Sequence, residues 1–485
     1  MKATEVGKQM MLKIIKDSFA GHLTIFGIDC FFAFSNGYSL KIIPKAEDIE
    51  LLNAKCKERG YNFDSLGWIH AVDDCGNDIA FLLSERQMPM CYHKNTLTLI
   101  TDIILQTSNF KGFDGQYLYD YRDLKGFTAM DFTGNAVNAV FSPKAAIKND
   151  DIADNRIEWL PTVKYAKSFS TELDGTKCNL IFSVIVDRHD LSVDTIDLGE
   201  LHSVIRLEFD ERQNLSMIET CWQAVCALLS FCVGQFNVTD VRVGLWDENK
   251  KIGIAGFESL IHCKINNDKV EGVEYRYPPY YRFQLEYFGD KLGSLFKLLN
   301  CKETKPMLNF LPRTNIDYSV DRNKIRDLCT ALEVEFDYHK EELSDPVVAA
   351  LVDKLKEVVK DFKNENPGVL DNSTYDYVHG SLGLISSPAK EKLWRVYSRY
   401  AAIIAEEIKL AAMTPVDCIE SQTRKDIGWL VKVRNRITHS VGFTESEIPN
   451  AIYARLKIAV YCSVFERSGF SLQETSDIIK KYFGR

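Results

Sequence analysis

The spacing of apolar residues changes part-way along this 485-residue chain, and the change limits its fold more than any other sequence feature. From His22 to about Lys264, apolar residues alternate with polar ones or form short runs rich in Phe, Ile, Val and Tyr, a pattern typical of β-strands. After about Tyr318 they recur at helical spacing. The chain is therefore predicted to be an α+β protein, with a strand-rich N-terminal region followed by an all-α C-terminal helical bundle.

This change of spacing suggests three segments. Residues 1–265 form the predicted strand-rich domain, residues 266–319 a connector with a short helix near 292–299, and residues 320–485 the helical bundle. Examples of the predicted strands within the first domain are His22–Phe34, Tyr38–Ile43, Gly67–Ala71, Ile79–Leu83, Lys177–Val186 and Val204–Phe209. One helix, Met217–Cys232, interrupts the strands, and Gly234 is suited to end it.

The bundle is predicted from apolar stripes that must be buried against one another. The first three stripes are Ile325, Leu328, Leu332 and Phe336; then Val348, Leu351, Leu355, Val358 and Phe362; then Leu393, Tyr397, Tyr400, Ile404 and Ile408. A fourth helix is predicted from Thr423 to about Ser440, with Gly442 after its end. Capping-box spacing predicts that Thr444 with Glu447, and Ser471 with Glu474, open two more helices.

Composition limits the classes of function. A net charge of −9 argues against a general nucleic-acid coat, although basic residues are concentrated between Lys392 and Arg436. Thirteen cysteines occur without a C-x-x-C pair, as reduced thiols do. We see no secretion signal and no apolar stretch long enough to span a membrane, so a cytoplasmic protein is expected.

One short motif carries chemistry, the sequence R-N-R-I-T-H at residues 434–439. Arg434 falls where the apolar stripe of the fourth helix should continue, so it either faces a cleft or interface or pairs with an anion. Asn435 and His439 are four residues apart and share a helix face. The helix end favours a protonated His439 while Arg434 opposes protonation, which predicts a titratable imidazole.

These residue types suit RNA cleavage without a metal or cofactor. His439 can take a proton from a ribose 2′-hydroxyl or give one to the 5′-oxygen, Arg434 can stabilise charge on the phosphate, and Asn435 can orient either group. Single-stranded RNA is then the accessible substrate. Lys425, Lys432 and Arg436 are candidate RNA-binding residues, although each could equally be an ordinary solvated side chain. Glu333, or else Glu335, is a candidate carboxylate partner for Arg434.

The R-N-x-x-x-H motif on the fourth helix of an all-α bundle resembles the HEPN superfamily, and the strand-rich region before it resembles the ApeA-type HEPN proteins of bacterial anti-phage defence. The resemblance implies a homodimer in which two motif helices form one endoribonuclease site. It also implies a toxic enzyme of abortive infection, acting on tRNA or other RNA. The N-terminal domain would be the sensor or regulatory part, responding to a phage-derived trigger.

Other interpretations remain open. Arg434, Asn435 and His439 could form a polar network that fixes helix register. The chain could also be a non-catalytic HEPN protein that dimerises and senses a phage component, or a toxin neutralised by a nucleotidyltransferase partner. The cluster Asp187–Asp190 is interpreted as a loop rather than a metal site, and the aromatic segment Tyr275–Tyr281 as a connector.

Overall fold

The computed structural model of the chain describes residues 18–35, 39–60, 63, 68–83, 92–93, 95–107, 126–143, 147–149, 157–159, 167–187, 200–234, 241–247, 259–265, 283–301, 311, 322–386, 388–407, 416–438 and 450–483. The chain divides into two units. Unit 1 comprises Met1–Cys226 with Val238–Tyr277, and unit 2 comprises Ala227–Asn237 with Pro278–Arg485.

Unit 1 is built mainly from antiparallel strands. They are β1 Phe19–Ile25, β2 Ile28–Ser35, β3 Ser39–Pro44, β4 Trp68–Asp73, β5 Asp78–Leu83, β6 Tyr92–His93, β7 Thr96–Thr107, β8 Phe127–Thr133, β9 Ile147–Asn149, β10 Ile157–Trp159, β11 Lys167–Leu173, β12 Thr176–Asp187, β13 Glu200–Gln213, β14 Arg242–Asp247 and β15 Ser259–Ile265. Its helices are α1 Ile49–Glu58, α2 Asn135–Val140 and the first half of α3 Met217–Val233.

Six of these strands close on themselves. The pairing runs β7–β3–β2–β1–β4–β5 and returns to β7, so the ring leaves no unpaired strand within the circuit. Alternate residues of each strand point inward, as Leu23, Ile25, Cys30 and Phe32 do, and they form one buried cluster with Leu52 of α1. The polar residues between them point to the surface. This arrangement explains why apolar and polar residues alternate in this part of the sequence.

The predicted strand His22–Phe34 is two strands in the structure. Phe26 and Gly27 adopt φ of 55° and 77° and form a two-residue turn between β1 and β2, with Ile25 paired to Ile28. Positive φ at both central positions gives a hairpin turn whose twist matches the strands. The turn was not predicted from the sequence, because Phe26 is apolar and gives no turn signal.

The remaining strands extend the sheet from the other end of β7. Their order is β7–β15–β14–β8–β13–β12–β11, and β9 with β10 forms a separate pair. α3 packs on this part, with Trp222 stacked on Phe132. Asp131 on β8 is buried and accepts hydrogen bonds from Arg206 and from the indole of Trp246, which satisfies its charge within the sheet.

Unit 2 is helical. Its helices are α4 Leu292–Leu299, α5 Arg322–Tyr338, α6 Lys340–Leu343, α7 Pro346–Glu365, α8 Asn372–Ser386, α9 Ala389–Arg399, α10 Ala401–Glu407, α11 Val416–Thr438, α12 Asn450–Arg467 and α13 Leu472–Phe483. A 3-10 turn, Leu285–Lys291, precedes α4. α12 lies between α4, α5, α9 and α13. An aromatic cluster of Phe231, Phe283, Phe288, Tyr461 and Phe465 forms part of the core.

The two units confirm the predicted α+β fold, with strands first and helices after. α4 begins and ends where the sequence indicated, Gly234 follows α3 with a φ of 68°, and the first stripe, on α5, is fully buried. Ser471 and Glu474 form the predicted capping box: each side chain bonds the backbone N–H of the other residue. Of the described helices, none combines the length and apolarity that a membrane span requires.

Other helix predictions need correction. The third stripe is divided between α9 and α10 at Tyr400, and α11 begins at Val416 rather than Thr423. The second stripe, on α7, is exposed from Leu351 onward instead of buried, because α7 packs on α8 through a different face that contains Val352. Ile408, Gly442, Thr444 and Glu447 lie outside the described residues.

Candidate functional site

Arg434 continues the buried face of α11. Ile427, Leu430 and Val433 on this helix are buried, and Arg434 follows Ile427 by two turns and Leu430 by one. Its side chain is 28% exposed, so the guanidinium lies at the edge of the helix packing rather than inside it. A cation at this position needs an anion, because a partly buried arginine without one is costly.

Glu333 of α5 is that anion. Arg434 Nη2 donates to Glu333 Oε2 at 3.3 Å, and Nη1 donates to Asn435 Oδ1 at 3.4 Å. Glu333 is 25% exposed, and Asn435 is exposed. Both bonds are long for their type, and together they orient the guanidinium.

Cys329 lies one turn before Glu333 on α5. It is buried, and burial raises the pKa of its thiol to about 12. The neutral thiol is therefore not a nucleophile for this site, although Arg434 is near enough to oppose the shift.

His439, the predicted acid or base, lies outside the described residues. α11 as described ends at Thr438, so the arginine and asparagine of the motif are placed and the imidazole is not.

The three candidate RNA-binding residues lie on a different face of α11. Lys425, Lys432 and Arg436 are all exposed, and their spacings of seven and four residues align them along the helix. At 3.6 residues per turn, Arg434 points about 160° to 180° away from them. The helix therefore separates this basic stripe from the arginine of the motif.

Arg424 contributes less positive charge than the sequence suggests. Its guanidinium lies 5.3 Å from the ring centre of Trp394 and donates to Glu391 Oε2 at 3.2 Å. Both contacts hold it against α9, where the carboxylate offsets its charge.

A second polar cluster, which sequence reasoning missed, lies inside the bundle between α5 and α12. Glu335 is fully buried, accepts from Arg467 at 2.8 Å, and also accepts from the hydroxyl of Ser463. Glu335 thus pairs with Arg467 rather than Arg434. Burial raises the pKa of Glu335, and the Arg467 guanidinium opposes the shift. Ser463 Oγ is 3.3 Å from His339 Nε2.

This cluster continues toward the surface through Arg399. Arg399 Nε donates to Glu466 at 2.9 Å, and the hydroxyl of Tyr400 donates to the same carboxylate at 2.6 Å. The Arg399 hydrogen bond lowers the pKa of Glu466, whereas burial and then Arg399 lower the pKa of His339.

Ser463 and His339 superficially resemble a nucleophile and its base. The serine is fully buried and donates its proton to Glu335 instead, so the group fixes the packing of α5 on α12. The sequence did contain a signal. Glu335 lies on the face of α5 that should be apolar, three residues after Leu332, and His339 follows directly after the end of the helix, seven residues after Leu332.

No family model matches the sequence, and no curated protein or solved structure shows significant similarity to it. The resemblance to the HEPN superfamily therefore depends on the motif and the order of the two units. Within the described part of the chain, no three His, Cys, Asp or Glu side chains are grouped as metal ligands.

Proposed function

We propose that the chain is a metal-independent endoribonuclease of the HEPN type, with Arg434, Asn435 and His439 as its catalytic residues. One observation carries the proposal. A half-exposed arginine on an otherwise buried helix face is held beside an exposed asparagine, near the end of α11. Such a guanidinium is oriented before substrate binds, and its exposed part is accessible to a phosphate.

The reaction needs no external nucleophile. The ribose 2′-oxygen attacks the adjacent phosphorus and its proton passes to His439, while the bond from phosphorus to the 5′-oxygen breaks. The 5′-oxygen receives a proton, from the second imidazole of a dimer or from water, and the other product ends in a 2′,3′-cyclic phosphate. Arg434 balances the charge that builds on the phosphate oxygens, and Asn435 orients the imidazole or the phosphate through its amide.

Glu333 has a role in this scheme. Its carboxylate keeps Arg434 in place when RNA is absent, and the phosphate oxygens compete for the same guanidinium as negative charge builds on them during attack by the 2′-oxygen. We assign the function to abortive anti-phage defence by a homodimer, with a phage-derived trigger acting on unit 1 and tRNA or other single-stranded RNA as substrate.

Purified full-length protein tests the proposal when it is incubated with total RNA, alone and with phage lysate. We expect fragments ending in cyclic phosphate, unchanged by EDTA. His439→Ala should lower cleavage by at least about 10²-fold, and Arg434→Ala by about 10²- to 10³-fold. Arg424→Ala, which removes an exposed arginine of α11 that contacts Trp394 and Glu391 of α9, is the matched control and should retain most activity. An active His439→Ala protein, or equal losses at Arg434 and Arg424, would contradict the assignment.

A second candidate is a non-catalytic assembly protein that senses a phage component. The bond from Arg434 to Glu333 favours it, because this pair joins α11 to α5 and could serve only helix register. In that case neither wild type nor Arg434→Ala cleaves RNA under any condition, and Arg434→Ala changes stability alone.

A further inference from the structure

The hairpin of α7 and α8 carries an apolar stripe that is open to solvent. Leu351, Leu355, Val358 and Phe362 of α7 are 56%, 38%, 62% and 48% exposed. With the half-buried Val348 they are spaced alternately by three and four residues, which is the spacing of a seam between two helices. Soluble monomers rarely expose a continuous apolar stripe of this kind.

α7 is a firmly built helix, so the stripe is not the result of fraying. Asp345 caps its start by accepting from the N–H groups of Val347 and Val348, and Pro346 occupies the first turn. Lys363 holds the end against α8, donating to Asn372 at 2.8 Å and lying 4.0 Å from the ring centre of Tyr375.

α8 covers a different side of α7. Val352 is buried and Val359 half-buried, one residue away from the stripe positions Leu351 and Val358. The packing of the hairpin therefore uses one edge of the helix and leaves the stripe uncovered.

The stripe of one α7 helix is complementary to the same stripe on a second, antiparallel α7 helix. A two-fold axis passing between positions 356 and 357 sets Leu355 against Val358 of a second copy, and Leu351 against Phe362. The same axis sets Lys354 against Asp361 of the second copy, and both of these flanking side chains are exposed. In an antiparallel pair of helices, residues at this flanking position face each other across the seam.

We propose that a second copy of this chain docks on this stripe, with the two α7 helices antiparallel. Apolar side chains then meet apolar ones. Each Lys354 meets Asp361 of the other copy, so the pair occurs twice by symmetry, as in an isologous interface. Binding to an unrelated partner would not require that Lys354 and Asp361 lie at mutually complementary positions of the same helix. Each copy contributes two helices, so the contact has the form of a four-helix bundle. The proposal holds whether or not the chain cuts RNA.

Sedimentation of the full-length protein across about a hundredfold range of concentration tests the docking. We expect a reversible monomer–dimer equilibrium. Val358→Asp, a change at an exposed position, should raise the dissociation constant by about 100-fold or more because it places two charges in the apolar seam. A wild-type chain that stays monomeric throughout, or a Val358→Asp dimer as tight as wild type, would overturn the proposal.

Charge reversal tests the register. Lys354→Asp and Asp361→Lys should each weaken the dimer by about tenfold, and the double variant should return to within about threefold of wild type. Lys360→Asp makes the same charge change on the outward face of α7 and is the matched control. No rescue in the double variant, or an equal effect of Lys360→Asp, would contradict this pairing.

Arg434→Ala separates this interface from the proposed nuclease site. Its dimer should be as tight as wild type even where RNA cleavage is lost, because Arg434 lies on α11 and not on α7. A parallel loss of association in Arg434→Ala would place the interface at the motif helix instead.

Discussion

α5 and α7 carry the same kind of apolar pattern and end in opposite environments. The stripe Ile325, Leu328, Leu332 and Phe336 of α5 is fully buried against α9, α11 and α12, whereas the stripe of α7 is exposed. Spacing of three and four residues identifies the apolar face of a helix in both cases. It does not identify what covers that face, which depends on where the helix lies among its neighbours.

The two helices also differ in how they place charge. α5 takes Glu335 inside the bundle, where Arg467 and Ser463 satisfy it. α7 keeps Lys354 and Asp361 outside, beside its apolar stripe. A buried charge needs its partner within the same chain, while an exposed one remains available to another molecule.

Removing the buried carboxylate should have the largest effect. Glu335→Ala leaves the almost fully buried guanidinium of Arg467 without its anion, and we expect a loss of about 3 to 5 kcal/mol in the free energy of unfolding. Glu333→Ala, which breaks the half-exposed pair with Arg434, should cost at most about 1 kcal/mol. Urea unfolding of both variants measures the difference. Equal costs would show that the Glu335 pair is solvated.

Two matched leucine changes test the comparison of the stripes directly. Leu332→Ala on α5 should cost about 2 to 5 kcal/mol, since it leaves a cavity. Leu355→Ala on α7, where the side chain is 38% exposed, should cost about 1 kcal/mol or less when the protein is dilute enough to be monomeric. If Leu355→Ala proves as costly as Leu332→Ala under those conditions, α7 is covered within its own chain.

The smallest expected effect is a dependence on pH through His339. The pKa of His339 is lowered in the folded protein. As the pH decreases below about 6.5, the histidine is therefore protonated in the unfolded chain before it is protonated in the folded protein, and the free energy of unfolding should fall. The charged groups around the imidazole are Arg399, Glu466, Glu342 and Arg467.

His339→Gln should flatten the stability profile between about pH 8 and pH 5. His379→Gln, a histidine change on α8, controls for the loss of an imidazole elsewhere in unit 2. A profile that stays steep in His339→Gln would assign the dependence to other groups.

Much of the fold could be read from local patterns. Alternation and short apolar runs identified β1 to β5, β12 and β13, helical spacing identified α3, α4 and α5, and Ser471 with Glu474 located the start of α13. These features are encoded by neighbouring residues, so a short window of sequence contains them. The turn at Phe26 was missed because its positive φ has no signature in an apolar side chain.

The candidate site was predictable only in part. The sequence indicated that Arg434 interrupts an apolar stripe and therefore requires an anion or a cleft. That Glu333 of α5 is the anion follows from how two distant helices cross, as does the pairing of Glu335 with Arg467 instead.

By itself, the sequence determined where strands give way to helices and which face of α5 and of α7 is apolar, because these depend on backbone geometry and side-chain spacing over a few residues. Tertiary structure alone decided that six strands close into a ring, that the stripe of α5 is buried while that of α7 is open, and which carboxylate meets which arginine. Those outcomes depend on contacts between residues far apart in the chain, whose positions no local pattern specifies.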